Sequence, residues 1–247
     1  MLAVLSACGE KFKSMSESKI EANGIVHGRA VRKGNALSRS VVALAASTDR
    51  GQALCTGSIL DDQTILTAAH CVQHSENMLV IFAPLLDTAD DSLVRRVDKV
   101  EMHPRWQKSE SGDLALVHFS GGLPLGFEPV TFVQNLSTLA VGLEVRMLGY
   151  GVTNGLKRKG AGKIRETKSE IVSLTNGQEA ITDGHSHSVC FGDSGGPAFV
   201  LEQGEWVQWG VAHAVSSEAC DETSSHTVTL SFQRWITAAQ HRLRNSL

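Results

Sequence analysis

Positive charge is in short supply: 23 Lys and Arg stand against 26 Asp and Glu, leaving a net charge of -3 over 247 residues. That balance carries no electrostatic footprint for nucleic acid or for an acidic membrane surface. No apolar run approaches the roughly 20 residues that span a bilayer. Internal repeats and low-complexity tracts are also missing, which excludes solenoids, propellers and compositionally biased linkers. What remains is an ordinary globular composition, 42% hydrophobic, long enough for one large domain or two small ones.

Only the N-terminus differs. MLAVLSACGEKFKSMSESKIEANG is a short apolar run ending at Cys8, followed by a polar stretch without periodicity. It reads as a truncated export signal over residues 1–8, with residues 9–24 as a propeptide or tether. Leu5-Ser6-Ala7-Cys8 resembles the lipobox of bacterial lipoproteins, which implies a lipid on Cys8 and anchoring at a periplasmic or outer-membrane surface. The alternative is a signal cleaved near Ala7 and a secreted product. Five cysteines leave one odd, and Cys8 is the natural odd one if it carries lipid. Cys55, Cys71, Cys190 and Cys220 then allow three pairings, among which the sequence alone does not choose.

Between Ser40 and Phe232 short apolar runs alternate with turn signals: SVVALAA, TGSILDDQTILTAA, MLVIFAP, DLALVHF, LEVRMLGYG, SEIVSL, PAFVL, WVQWGVA, HTVTLSF. Their length, and the Gly, Asn, Asp and Pro between them, predict strands arranged as two barrels or a sandwich. Phe232, Trp235, Ile236, Ala239 and Leu243 recur at helical spacing and predict an amphipathic helix over residues 233–245. The stretch GGLPLGFEP, residues 121–129, is the candidate linker between two β halves.

One hydroxyl stands apart in this frame. GDSGGP places Ser194 among glycines, with Asp193 before it and Pro197 close behind. A plain turn, the strand-to-helix elbow of an α/β-hydrolase and the nucleophile loop of a β-barrel protease all fit the hexapeptide. The elbow needs a helix to begin at the nucleophile, whereas Gly195, Gly196 and Pro197 lead into the strand-like PAFVL. It would also draw its partners from His213, His226 and Asp221, downstream of the serine. Upstream, LTAAHC sets His70 after a strand and GDLALVHF sets Asp113 at the start of another, giving the order His70, Asp113, Ser194.

With TAAHC and GDSGGP in that order the chain resembles the trypsin/chymotrypsin family from Ile25 to the C-terminal helix. The resemblance implies an all-β fold of two six-stranded antiparallel Greek-key barrels with a C-terminal helix. The first barrel would cover about 25–125 and the second about 126–232. It also implies peptide hydrolysis through an acyl-enzyme. His70 is then the general base that makes the Ser194 hydroxyl nucleophilic, and Asp113 orients its imidazole. Backbone N–H groups of Gly192 and Ser194 would form the oxyanion hole. GIVHG at residues 24–28 resembles the family's activation site. A cut before Ile25 would free an ammonium to pair with Asp193, although Gly24 stands where Arg or Lys is usual and His27 where glycine is. The expected partners are therefore a protein or peptide substrate and an activating protease, with no nucleic acid and no membrane apart from an anchor at Cys8. No cofactor or metal is implied.

The same resemblance implies the disulfides Cys55–Cys71 and Cys190–Cys220, with Val145 and Val200 where many relatives carry another bridge. Gly149-Tyr150-Gly151 stands where Gly-Trp-Gly is common. Ser188 takes the pocket floor, His213-Ala214-Val215 the pocket wall and Thr227 the opposite side. Without an acid at Ser188 a cationic P1 side chain finds no partner, so small or medium apolar residues are expected. Alternatively His213 and His226 bind an acidic P1 side chain, as in glutamate-specific relatives. The non-enzyme alternative is a protease-like binding protein. HSH at 185–187 and DTADD at 87–91 read as surface turns rather than metal sites, and Trp206 and Trp209 as core.

Overall fold

A computed structural model describes residues 25–245 except 27, 33, 50, 110 and 186. The expected lipidation site Cys8, and the signal and tether around it, lie outside the described residues. The run SVVALAA shows why several strands are continuously apolar instead of alternating. It becomes β2 (Val41–Thr48). Val42, Leu44 and Ala46 point into the first barrel, whereas Val41, Ala43 and Ala45 pack with Leu148, Tyr150 and Phe199 of the second half. Successive side chains still face opposite ways, but both faces are buried, so no polar residue interrupts the run.

The first barrel is closed by β2, β3 (Gly51–Ile59), β4 (Thr64–Thr67), β7 (Ala115–Phe119), β6 (Val94–Met102) and β5 (Glu76–Ile81), in that spatial order. The second comprises β9 (Arg165–Thr175), β10 (Glu179–Asp183), β13 (Thr223–Val228), β12 (Glu205–Val215), β11 (Pro197–Glu202) and β8 (Glu144–Gly149), and a β8–β9 pairing closes it. All these pairings are antiparallel. The chain therefore folds as two six-stranded antiparallel β-barrels. Residues 121–129 run between β7 and β8 with no strand of their own.

Two segments cross from one half to the other. β1 (Arg29–Ala30) adds to β9 of the second barrel, so residues at the start of the described chain belong to that barrel's sheet and not to the first barrel as the sequence suggests. Ser188 N also donates to Val26 O at 3.3 Å, drawing the same segment toward the nucleophile loop. At the other end the helix Gln233–Asn245 packs Ile236, Ala239 and Leu243 into the core of the first barrel. Trp209 is wholly buried, while Trp206 lies half-buried under the Arg146 guanidinium.

Candidate active site

The site forms where the two barrels meet. A short helix, α1 (Ala69–Val72), begins directly after β4 and carries His70 on the first barrel. Asp113 precedes β7 of the same barrel and is 2% exposed. Its two carboxylate oxygens grip His70 at two points: Oδ1 accepts from the His70 amide at 2.9 Å and Oδ2 from ring Nδ1 at 2.6 Å. A proton held on Nδ1 leaves Nε2 with its lone pair, the state a general base requires. The Trp106 ring, on α2 (Pro104–Ser109), lies 6.4 Å from the imidazole and is anchored through its indole N–H to Gln73 at 2.9 Å.

Ser194 arrives from the second barrel. Its carbonyl accepts from Thr56 N of β3 at 2.9 Å and lies 3.6 Å from Cys71 Sγ, itself 3.7 Å from His70 Nε2. The Thr56 hydroxyl donates to Gly192 O at 2.8 Å and accepts from Tyr150 N at 3.1 Å, so one first-barrel side chain ties down both neighbouring loops. Within the nucleophile loop the amides of Asp193, Gly195 and Gly196 donate to Cys190 O, Ala212 O and Asp193 O. The amides of Gly192 and Ser194 take up no acceptor among the described residues. Two uncommitted N–H groups flanking a serine are what an oxyanion needs.

The glycines follow from this geometry. Gly192 and Gly195 have φ of 96° and 81°, and a Cβ on Gly195 would lie 2.0 Å from Thr67 Oγ1. Asp193, fully buried, accepts Gly151 N on Oδ1 and Cys190 N on Oδ2, both at 2.8 Å. Burial pushes its carboxyl up to about 7, against the two amides and Arg165, which pull the other way. Gly149 and Gly151 make the bed for this carboxylate, since a Cβ at either would fall within 2.5 Å of it. The Gly-Tyr-Gly segment is thus part of the loop's support, with Tyr150 OH donating to Ala83 O at 2.9 Å.

The four disulfide cysteines pair as Cys55–Cys71 and Cys190–Cys220. Cys55, His70 and Cys71 are the only metal-capable group among the described residues, and both sulfurs are in a disulfide. Of the loops read as turns, Asp90 caps one by accepting Ser92 N, and Asp183 holds the exposed His185.

The expected pocket residues divide between two places. Ser188 is fully buried and bonds the Ser224 hydroxyl at 2.7 Å, and Val215 packs with Phe191 beside the Cys190–Cys220 bridge. Ala214 is exposed. His213 and Thr227 instead line a cleft of about 260 Å³ together with Asp113, Glu179 and Phe232. The pairing of β12 with β13 shifts register between Ala212 and Ala214, the kind of irregularity that re-aims a side chain. His213 Nε2 pairs with Glu179 at 3.0 Å. His226 is fully buried against Thr182 at 3.0 Å, and desolvation, with His213 nearby, lowers it to about 3. Thr56, Arg165 and Glu179 were not singled out by sequence, and Gly151 only as part of Gly-Tyr-Gly. Only the two glycines around Tyr150 offered a local signal.

A family description, Trypsin, matches residues 25–236. The chain belongs to the trypsin family of serine proteases. Trypsin eta of Drosophila melanogaster is 34% identical over 177 residues, 63% of this chain and 66% of that protein. Serine protease SP24D of Anopheles gambiae is 29% identical over 167 residues, covering 62% of this chain and 61% of its own length. Ovochymase of Halocynthia roretzi is 29% identical over 182 residues, 64% of this chain but 11% of that much longer protein. The chain thus spans just under two thirds of the two insect proteins. These relatives are animal proteins and lend no support to a bacterial origin. The solved structure of HL collagenase superposes with a TM-score of 0.72 at 20% identity, covering 88% of this chain and 99% of that one, a likeness of fold.

Proposed function

We propose that the chain is a serine endopeptidase in which Ser194 attacks the scissile carbonyl, His70 takes and returns the proton, and Asp113 holds the imidazole. The amides of Gly192 and Ser194 receive the oxyanion. The observation that carries this reading is the two-point grip of a buried Asp113 on His70, beside a serine loop with two uncommitted amides. A cut before Ile25 is the proposed maturation step. Support comes from Ile25 itself, a buried β-branched residue held at φ 45°, a conformation that costs energy and that chain cleavage relieves.

For P1 we infer uncharged, small or medium apolar side chains. The hydroxyl pair Ser188–Ser224 offers no counter-charge to Lys or Arg. Glu179 engages His213 and full burial encloses His226, so neither is free to receive a glutamate. Export fits two formed disulfides. Mass analysis of the mature N-terminus tests whether Cys8 carries lipid. The central test is a fluorophosphonate probe followed by intact mass and peptide mapping. One adduct at Ser194, lost together with peptide hydrolysis in a folded Ser194→Ala, is expected. A folded, cut protein that takes no adduct would replace the enzyme with a binding protein.

A further inference from the structure

We propose that the basic loop 153–160, through Arg158 with Lys157 and Lys159, reads an acidic side chain close to the scissile bond, so that the preferred substrates are peptides with Asp or Glu flanking an apolar P1 residue. The inference rests on the protease reading above and adds to it a class of substrate.

Charge is sorted unevenly here. Between Gly151 and Arg165 the sequence holds Lys157, Arg158, Lys159 and Lys163 and no acid, in a chain whose net charge is -3. Lys157, Arg158 and Lys159 are exposed. None of the three forms an ion pair among the described residues. In the adjoining segment Glu218 meets Gly155 through its backbone carbonyl, while Asp221 accepts from Ser217 at 2.7 Å and Glu222 from Ser216 at 3.1 Å. Exposed cations ordinarily do no more than face water, and what distinguishes these is where they are fixed.

The loop leaves from the segment that supports the nucleophile. Gly151 N donates to Asp193 Oδ1 and Val152 N to Phe191 O, both at 2.8 Å, and the loop starts at the next residue. Thr153 N on Lys159 O and Lys157 N on Asn154 Oδ1, both at 2.8 Å, close it. Gly155 is pressed against the Cys190–Cys220 bridge and Glu218, where a Cβ would lie 2.2 Å from the carbonyl. Arg158 has φ 50°, in the left-handed region that a long side chain rarely takes. In that conformation its guanidinium carbon sits 3.2 Å from the centre of the Phe191 ring. Phe191 directly precedes Gly192, one of the two proposed oxyanion donors, so a held cation stands over the residue next to the oxyanion hole.

Stacking decides how this guanidinium can act. Its face is spent on the ring, while its N–H groups take up no acceptor among the described residues. The free edge is a planar fork of donors, which a carboxylate engages with both oxygens at once. Lys157 and Lys159 add to the positive potential at the same place, within reach of a Debye length of about 8 Å at physiological salt. An amide isostere of the same shape gains none of this, and a cationic side chain is repelled.

The test uses the full chain with Ile20→Asp, Glu21→Asp, Ala22→Asp, Asn23→Asp and Gly24→Lys, so that enteropeptidase exposes Ile25, purified after the cut. Paired peptides differ only by Glu against Gln, or Asp against Asn, at each position flanking an apolar P1 residue. The ratio of kcat/KM within each pair is compared for wild-type loop, Arg158→Gln, Arg158→Lys and the triple variant Lys157→Gln, Arg158→Gln, Lys159→Gln. The wild-type loop is expected to favour the acidic member by about threefold to tenfold at one or more flanking positions, the range of one to a few exposed ion pairs. Raising salt from about 0.05 M to about 0.5 M should bring that ratio toward one. Arg158→Gln should lose most of the preference, Arg158→Lys should keep part of it, and the triple variant should show none. Each ratio compares two peptides on one protein, so a variant with a smaller active fraction still reads true. Ratios near one at every position would overturn this inference alone, as would a triple variant that keeps the full preference. A cut protein with the wild-type loop that takes no fluorophosphonate label and cleaves neither member of any pair would overturn the protease reading and this inference with it.

Discussion

Gly151 shows how little tolerance the nucleophile loop has. Its amide feeds Asp193, and a methyl group on its Cα would fall 2.5 Å from that carboxylate. Asp193 is enclosed and cannot swing away. Gly151→Ala is therefore expected to cost about 10² to 10³ in fluorophosphonate labelling rate by displacing both oxyanion amides, while circular dichroism still reports folded barrels. His226 gives a residue-scale prediction about pH. It is neutral in the fold, with its value lowered to about 3, and ordinary once unfolded. The unfolded chain binds the extra proton, so the contribution is fully present above about pH 6.5 and is lost as pH falls toward 3, with a slope of up to about 1.4 kcal/mol per pH unit. Urea unfolding across that window should show the slope, and His226→Phe should flatten it. His70, Asp113, Gly192, Asp193 and Ser194 could be picked out in the sequence because each lies in a short contiguous motif. Thr56 could not, since it meets Gly192 and Tyr150 only once the two barrels are folded together. For His213 the sequence could not show its pairing with Glu179, which depends on a register shift between Ala212 and Ala214.

Among the elements, the continuous apolar strands were recognised as strands, but their two faces were invisible to a one-dimensional pattern. β2 divides its residues between a barrel interior and the seam to the other barrel, and nothing local to Val41 or Val42 distinguishes the two destinations. The C-terminal helix was fully legible as an amphipathic stripe, although its docking partner was not. Because Ile236 is 2% exposed in the core of the first barrel, Ile236→Ala is expected to lower stability by about 2–5 kcal/mol, read as a shifted urea midpoint. The loss should appear in probes on the first barrel, such as the environment of Trp106, as much as in the second. A change confined to the helix would show that its docking is incidental.

For the whole molecule, the proposed chemistry depends on the seam. His70 and Asp113 belong to one barrel and Ser194 to the other, and Thr56 reaches across to hold Gly192 O while receiving Tyr150 N. Thr56→Val removes a donor and an acceptor from buried partners, costing about 1–3 kcal/mol for each group left unsatisfied. The expected result is a lower melting temperature together with a fall in kcat that exceeds any change in KM, because the loop it anchors presents the nucleophile and the oxyanion amides. Equal loss in both parameters, or none in kcat, would place Thr56 outside the catalytic arrangement.

The docking of that last helix also sets an order of events during synthesis. Phe232, Ile236, Ala239 and Leu243 complete the core around β6 and β7, yet they follow both barrels in the chain. The barrel that carries the general base therefore stays unfinished until the ribosome has passed residue 243. A nascent chain halted at any earlier point holds His70 and Asp113 on an incomplete core, even when Ser194 has already been made. The late arrival of the helix thus makes completion of the first barrel one of the last events in assembly. A chain stopped before residue 243 is expected to leave the proposed hydrolytic site without a finished first-barrel core.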